Sequence, residues 1–485
     1  MITILDCYTD EPAGLGVPPY LGTYPRYIAG FFGKVNYITI DDLRFLKYYH
    51  LNDGKKEVSH KTNIKIYNLT RNILRIKEIL DGTTKLIVIL GVHTPGKYLS
   101  ALPGTIEEVS ELIKDMNCEK VLTGPVVFGT QLEGGKFFER NDLKVFDKVK
   151  DFNFKYSEIK GHAIKGAEIV KQISRNRIIE IETGHGCSRN KGCSFCTEPL
   201  KNKLEFREKE DILREIKAFY ELGCKNFRLG KQSDFYLYPK VVELLKDIRK
   251  TFSGIEVLHI DNVNPASVVS DKGKEITEAI VRYCTEGNIA AFGVESFDPV
   301  VMEENNLNCT AEQAFEAIKV LNKYGAERGS SGMPRFLPGI NILFGLKGES
   351  KKTHSENMKW FSKVLEEGLL LRRINIRQVS IFEGTQLYNE CGDKFIKKNK
   401  RHYWKWRNEI RQKIDLPMLQ RLVPAGTVIK KNIAEIYDGN TTFCRQIGTY
   451  PLIVGVKGRL ELGEDYDLKI TGHMLRSVTG VVEND

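Results

Sequence analysis

Six short apolar runs alternate with stretches of helical spacing between Arg177 and Ser380, and this alternation is what most limits the fold. The runs are Arg177 to Glu182, Asn226 to Leu229, Glu256 to Ile260, Ile289 to Gly293, Gly339 to Phe344 and Asn375 to Ser380. Between the first two, Ile212, Ile216, Phe219 and Leu222 fall on one helical face, and Gly223 is a natural stop signal beyond it. Helices are likewise expected over Glu275 to Cys284, Glu312 to Tyr324 and Thr353 to Leu365. Strands joined through helices pair in parallel, because a parallel connection needs a crossover. About six such units suit a partial or full βα barrel, whose chemistry belongs at the C-terminal ends of its strands.

The flanks read differently. Met1 to Asp6 and Leu86 to Leu90 have the pattern of buried strands, while Ile106 to Met116 and Gly161 to Ile173 have helical spacing. These predict a parallel sheet covered on both faces over residues 1–175, ahead of the barrel at 176–393. A basic, aromatic linker follows at 394–420. In the tail at 421–485, short alternating runs such as Pro451 to Val456 and Tyr466 to Ile470 predict a small β-barrel. Three domains suit a chain of 485 residues. No apolar run approaches a membrane span and Met1 leads straight into a strand, so a cytoplasmic protein with no membrane partner is expected. The net charge of +10 permits a polyanionic partner without requiring one.

In a reducing compartment ten cysteines do not form a disulfide framework, and clustered ones point to metal. Cys7, Cys118, Cys224, Cys284, Cys309, Cys391 and Cys444 are scattered, and each reads as a small buried hydrophobe. Cys187, Cys193 and Cys196 sit together as C-x5-C-x2-C just after the first predicted barrel strand. Three thiolates can hold a [4Fe-4S] cluster with one iron open to a further ligand. The other readings are zinc, which would take a fourth ligand such as His185, and three unrelated thiols.

With these cysteines, the later strand ends resemble the radical SAM superfamily in order. The resemblance implies that S-adenosylmethionine (SAM) chelates the open iron through its amino and carboxylate groups. One electron, from a donor such as ferredoxin or flavodoxin, then cleaves it to a 5′-deoxyadenosyl radical. It also implies cofactor roles for Phe195 near the adenine, Gly230 and Gln232 near the SAM amino group, and Asn264 at the third strand. Glu295 and Ser296 would lie near the ribose or carboxylate, and Gly345 would sit behind the adenine. A core phenylalanine, a turn asparagine and a solvated glutamate are the other readings of Phe195, Asn264 and Glu295. No catalytic acid or base is singled out. The fold class expected is therefore α/β: a Rossmann-like domain, a radical SAM (βα) partial barrel and a small C-terminal β-barrel.

The domain order resembles an archaeal radical SAM group and, more distantly, the tRNA methylthiotransferases, whose tail is an RNA-binding TRAM domain. A methylthiotransferase holds a second cluster with three N-terminal cysteines, whereas this chain has only Cys7 and Cys118 before Cys187. The front domain also resembles a cobalamin-binding domain, with Pro12 to Tyr20 as its opening loop and Gly91 to Lys97 as a possible ligand contact. The Asp-x-His-x-x-Gly motif of an axial histidine is absent, and a structural turn is the other reading of both segments. From Lys394 to Lys413 the chain carries nine Lys or Arg with Tyr403, Trp404 and Trp406 interleaved. Such a mixture serves RNA, cations meeting phosphates and rings stacking on bases. The alternative is an amphipathic helix docked by its aromatics. The function expected is radical methylation or methylthiolation of an RNA, tRNA in particular. Modification of a protein side chain or small molecule is the alternative, and a metal-binding RNA adaptor the non-enzyme one.

Overall fold

The computed structural model describes residues 1–9, 16–48, 68–91, 99–129 and 143–483. These form two compact units: one from within 1–181 together with Glu210–Phe227, the other from Glu182–Lys209 and Arg228–Asp485.

In the first unit, strands β1 (Ile2–Asp6), β2 (Asn36–Thr39), β3 (Lys85–Ile89), β4 (Glu119–Thr123) and β5 (Lys148–Val149) form one sheet. Its order is 2-1-3-4-5 with every pairing parallel, the doubly wound arrangement expected of a Rossmann-like domain. Ile4, Leu5 and Leu86 to Leu90 are removed from water, as a sheet covered on both faces requires. The helices Thr23–Phe32 and Tyr156–Gly166 pack backbone to backbone. A Cβ on Gly30 would fall 1.9 Å from the His162 carbonyl oxygen, and one on Gly166 equally close to that of Arg26. Only glycine permits that approach. The helix expected from Gly161 begins earlier, at Tyr156, and tightens into a 3₁₀ turn over Ala167–Gln172. Its start is held by the Glu158 carboxylate, which accepts the Lys155 N–H at 2.9 Å without any Ser, Thr, Asp or Asn at the cap to announce it. Arg26 is fully buried, ion-paired with Glu215, bonded to the carbonyls of Gly22 and Glu180, and stacked over Phe219.

Strands β6 (Ile178–Glu182) and β7 (Asn226–Gly230) run from the first unit into the second. In the second unit they are followed by β8 (Val257–Ile260), β9 (Asn262–Val263), β10 (Asn288–Glu295), β11 (Phe336–Phe344) and β12 (Arg373–Gln378). β8 lies beside β7, and β9 to β12 pair in parallel in chain order. Asp261 alone separates β8 from β9, so each of the six predicted runs is a strand, as a partial barrel requires. Along β12 the buried Ile374 and Ile376 alternate with Arg373, Asn375 and Arg377.

The stretch at 394–420 is helical: Lys394–Ile410, a π turn over Arg411–Asp415, then Leu416–Leu422. Beyond it, β13 (Val428–Asp438), β14 (Thr441–Gln446), β15 (Ile453–Lys457), β16 (Asp465–His473) and β17 (Val478–Val482) close into a barrel of order 13-14-15-17-16. β15 and β17 are parallel and the other neighbours antiparallel, the arrangement of an OB-type barrel. Closure leaves no open edge. Its core gathers Ile429, Ala434, Cys444, Val454, Leu468 and Val478 with Leu422, which ends the preceding helix, and Val423 just beyond it. Among the described residues no helix is long and apolar enough to cross a membrane.

Candidate functional site

The cysteine loop leaves the barrel through Gly184–His185, a short strand paired with Glu205–Phe206. Gly186 then turns at φ 82°, where a Cβ would lie 2.3 Å from the Lys203 carbonyl oxygen. The Glu198 carboxylate accepts the Gly186 N–H at 2.7 Å and Ser233 Oγ donates to the Gly186 carbonyl at 2.8 Å. The loop is therefore fastened at its base from two sides.

All three thiols are partly exposed, and none of them is in a disulfide. Two receive hydrogen bonds: Arg189 Nη1 donates to Cys193 Sγ and the Glu198 N–H donates to Cys196 Sγ, each at 3.4 Å. Burial pushes the Cys193 thiol up to about 12, with Arg189 pulling it down and Cys196 and Glu295 adding to the rise. Among the described residues no three His, Cys, Asp or Glu side chains stand converged on a single metal position. The loop thus supplies three sulfur donors of the right kind without holding them at one point. His185, the fourth ligand of the zinc reading, faces carboxylates instead, Glu182 at 3.4 Å and Glu205 at 3.5 Å. Burial opposes its protonation, but the bond and charge of Glu182 and the charge of Glu205 outweigh it and raise the pKa. A zinc ligand must be neutral, so this setting disfavours the role.

The cofactor candidates lie at successive strand ends of the same unit. Phe195 is half-buried on the loop itself. Gly230 ends β7, Lys231 follows at φ 71°, and Gln232 is buried with Oε1 accepting from Thr183 Oγ1 at 2.7 Å. Its Nε2 is buried with no hydrogen-bond partner among the described residues. An orphaned amide donor there suits the acceptor groups of a bound SAM. Asn264 caps the helix Pro265–Val268, its Oδ1 accepting the Ala266 N–H at 3.0 Å and its own N–H donating to Asp234.

Glu295 ends β10 at a register shift and holds φ 62°, a left-handed conformation that a glutamate seldom adopts. Burial pushes its carboxyl up to about 7, with the charge of Arg377 on β12 pulling it down. Such strain at a strand end is a mark of functional positions. The buried Ser296 turns its Oγ to the Asp298 N–H at 3.1 Å. Gly345, at φ 95°, leaves no room for a Cβ, which would lie 2.4 Å from Ile396. Its N–H donates to the buried Glu349 carboxylate at 2.7 Å.

Sequence reasoning missed the residues that hold this site from outside. Asn305 is fully buried and has all its polar positions engaged: Oδ1 accepts from Ser194 Oγ (2.7 Å) and the Lys347 N–H (3.2 Å), and Nδ2 reaches the carbonyls of Val301 and Lys347 (both 2.8 Å). It ties the cysteine loop to the segment after β11. Glu349 and Asn399 were missed too, since their bond joins residues 50 apart and the polar stretch around Glu349 does not announce its burial.

On the helix Lys394–Ile410, Ile396, Asn399, Tyr403, Trp406 and Ile410 are buried, whereas Trp404 is 67% exposed among lysines. Trp406 is stacked between His354 and His402. The docked-helix reading therefore holds for two aromatics and not for the third. In the first unit Cys7 is buried in the sheet core and Cys118 packs at its margin. Residues 12–15 and 92–97, parts of the suggested cobalamin contacts, lie outside the described residues.

Comparison with known proteins agrees with this geometry. Residues 181–361 match the model of the radical SAM superfamily. An uncharacterized protein of Methanocaldococcus jannaschii is 39% identical over 99% of this chain and 93% of its own. The ribosomal protein uS12 methylthiotransferase RimO of a Nitratiruptor species is 24% identical over 43% of this chain and 45% of its own. The tRNA-2-methylthio-N(6)-dimethylallyladenosine synthase of Petrotoga mobilis is 23% identical over 50% and 53%. Among solved structures, the radical SAM methyltransferase TsrM of Kitasatospora setae aligns with 80% of this chain and 73% of its own at 13% identity and a TM-score of 0.48. The chain belongs to the radical SAM superfamily, and it is an enzyme of the kind that works with a [4Fe-4S] cluster and SAM.

Proposed function

We propose that this enzyme installs a methyl or methylthio group on an unreactive carbon of an RNA, tRNA in particular, with Cys187, Cys193 and Cys196 holding its cluster. The cluster and SAM, when bound, supply a radical by one-electron cleavage of SAM. The chain's own residues then have distinct tasks. Gln232, with Oε1 fixed by Thr183, would offer Nε2 to the cofactor, and Glu295 would offer a carboxyl at a later strand end. Gly345 lets the chain turn tightly against Ile396 and Val379, and its segment would back the adenine. Ser296 and Asn264 hold the backbone turns on either side, and Phe195 offers a ring on the loop itself.

One observation carries the RNA reading: Trp404 stands exposed on the cationic face of its helix, with the Arg407 guanidinium 5.2 Å from its ring centre. A stacking surface beside cations is what unpaired nucleotides require. The closed five-stranded barrel is an architecture that serves oligonucleotide binding in other proteins, and it supports the TRAM-like reading of residues 421–485. The methylthiotransferase relative named for a tRNA adenosine adds to it.

The test is tRNA retention at low salt by wild type and W404A, followed by nucleoside mass spectrometry of RNA from a deletion strain. Loss of one modified nucleoside, with weakened retention by W404A, supports RNA. Unchanged nucleosides with no tRNA binding would move the substrate to a protein side chain, as in the relative named for a ribosomal protein. Cobalamin is a further cofactor class that the doubly wound front sheet suits by its strand order. Equimolar cobalt in anaerobically purified protein would mark it.

A further inference from the structure

Between Cys187 and Cys193 the loop carries one arginine, Arg189, and its side chain points back at the loop's own sulfur. Nη1 donates to Cys193 Sγ at 3.4 Å while Nη2 donates to the carbonyl of Asn306. Asn306 is held at φ 48° and its Nδ2 donates to the Gly192 carbonyl at 2.6 Å. One residue earlier, Asn305 accepts the Ser194 N–H on its carbonyl at 2.9 Å and the Ser194 hydroxyl on its side chain. The turn at Asn305–Asn306 therefore clasps the loop at Arg189, Gly192 and Ser194, and the guanidinium is aimed from outside the loop.

We infer that Arg189 raises the reduction potential of the [4Fe-4S] cluster by hydrogen-bonding and charging the surroundings of the Cys193 thiolate, and that Asn306 is the positioning residue that aims it. The inference rests on the reading of Cys193 as a cluster ligand. A hydrogen bond to a ligating sulfur, made by a cation, draws electron density from the cluster and stabilises the electron added on reduction. The planar fork of arginine lets one guanidinium serve the sulfur and the Asn306 carbonyl together. A lysine, a point charge on a flexible stem, would keep the charge and lose the aim.

The experiment is an EPR-monitored redox titration of anaerobically reconstituted wild type, R189K, R189Q and N306G, with iron and sulfide measured in each. Glycine at 306 tolerates the left-handed backbone and keeps the carbonyl that Arg189 meets, but it removes the Nδ2 bond to Gly192 and so loosens the clasp that aims the guanidinium. The expected result is a full cluster in every variant and midpoints that become more negative in the order wild type, R189K, R189Q, with N306G also below wild type. Coincident midpoints with full cluster content would overturn the inference. Should R189Q lose iron, R189K and N306G decide the matter by the same criterion. If wild type assembles no four-iron cluster, or C193A keeps it, the ligand reading itself has failed, a result distinct from unmoved potentials.

Discussion

The backbone N–H of Thr449 donates to Nδ1 of His259, 190 residues earlier in the chain, at 2.9 Å, and His259 Nε2 faces the Glu286 carbonyl at 3.0 Å. The two bonds need a neutral imidazole with its proton on Nε2. The next residue, Tyr450, lies 3.7 Å beneath the Arg373 guanidinium, and its carbonyl accepts from Arg372 at 2.8 Å. The loop between β14 and β15 is thereby locked onto strands of the partial barrel. That lock makes the C-terminal barrel a fixed part of this unit.

Acid should loosen it. Burial, above all, holds His259 down to about 4, with Arg228 and Arg249 lowering it further. A depressed histidine adds stability that is complete above its unfolded value near 6.5 and is lost as pH falls from there to about 4. The melting temperature of wild type should drop more steeply over that window than that of H259N, and parallel curves would refute the assignment.

Trp404 and Trp406 should separate cleanly. Trp406 is 5% exposed and stacks at 5.3 Å on His354 and 5.2 Å on His402, so W406A should cost about 3–5 kcal/mol of stability. W404A should leave stability within about 0.5 kcal/mol. It should weaken RNA retention by about 5- to 150-fold, the range of about 1–3 kcal/mol per stacked base. Denaturant melts and filter binding read the two effects independently.

Glu349 makes an opposite pH prediction. Its carboxylate accepts from Gly345 N–H at 2.7 Å and Asn399 Nδ2 at 2.9 Å, yet burial pushes it up to about 7. A raised carboxyl leaves the fold unpenalised below about 4.5 and weakens it as pH climbs to 7. E349Q keeps an acceptor for Gly345 and should lose that slope. Its denaturation midpoint at pH 8, relative to pH 5, should therefore fall less than that of wild type.

Gln232 should matter to SAM more than to the cluster. Its buried Nε2 lacks a partner among the described residues, and a hydrogen bond to a charged group is worth about 1.5–3 kcal/mol. Q232A should lower SAM affinity by about 10- to 100-fold in anaerobic equilibrium dialysis at unchanged iron content. T183V, which frees Oε1, should have a smaller effect in the same direction.

Much of this architecture was legible because apolar runs report buried strands directly. The run read at Leu86 to Leu90 is a strand over Lys85–Ile89, and all six barrel runs are strands. The cysteine loop was legible for the same reason, since it follows one of them. What escaped was non-local. The Ser194–Asn305 bond spans 111 residues, and nothing beside either residue announces it. The register shift that puts Glu295 at φ 62° arises from pairing with β11 and has no local signal in a non-glycine residue. The split between Trp404 and Trp406 was available in principle. Ile396, Asn399, Tyr403, Trp406 and Ile410 recur at helical spacing, and Trp404 falls off that stripe.

The most direct measurement of the central claim is release of 5′-deoxyadenosine from SAM by anaerobically reconstituted, chemically reduced protein, with iron and sulfide counted alongside. Wild type should hold four irons and release the nucleoside, while the variant with Cys187, Cys193 and Cys196 all replaced by alanine should do neither. A wild type that binds a four-iron cluster yet leaves SAM intact, or a triple variant that still cleaves it, would contradict the account.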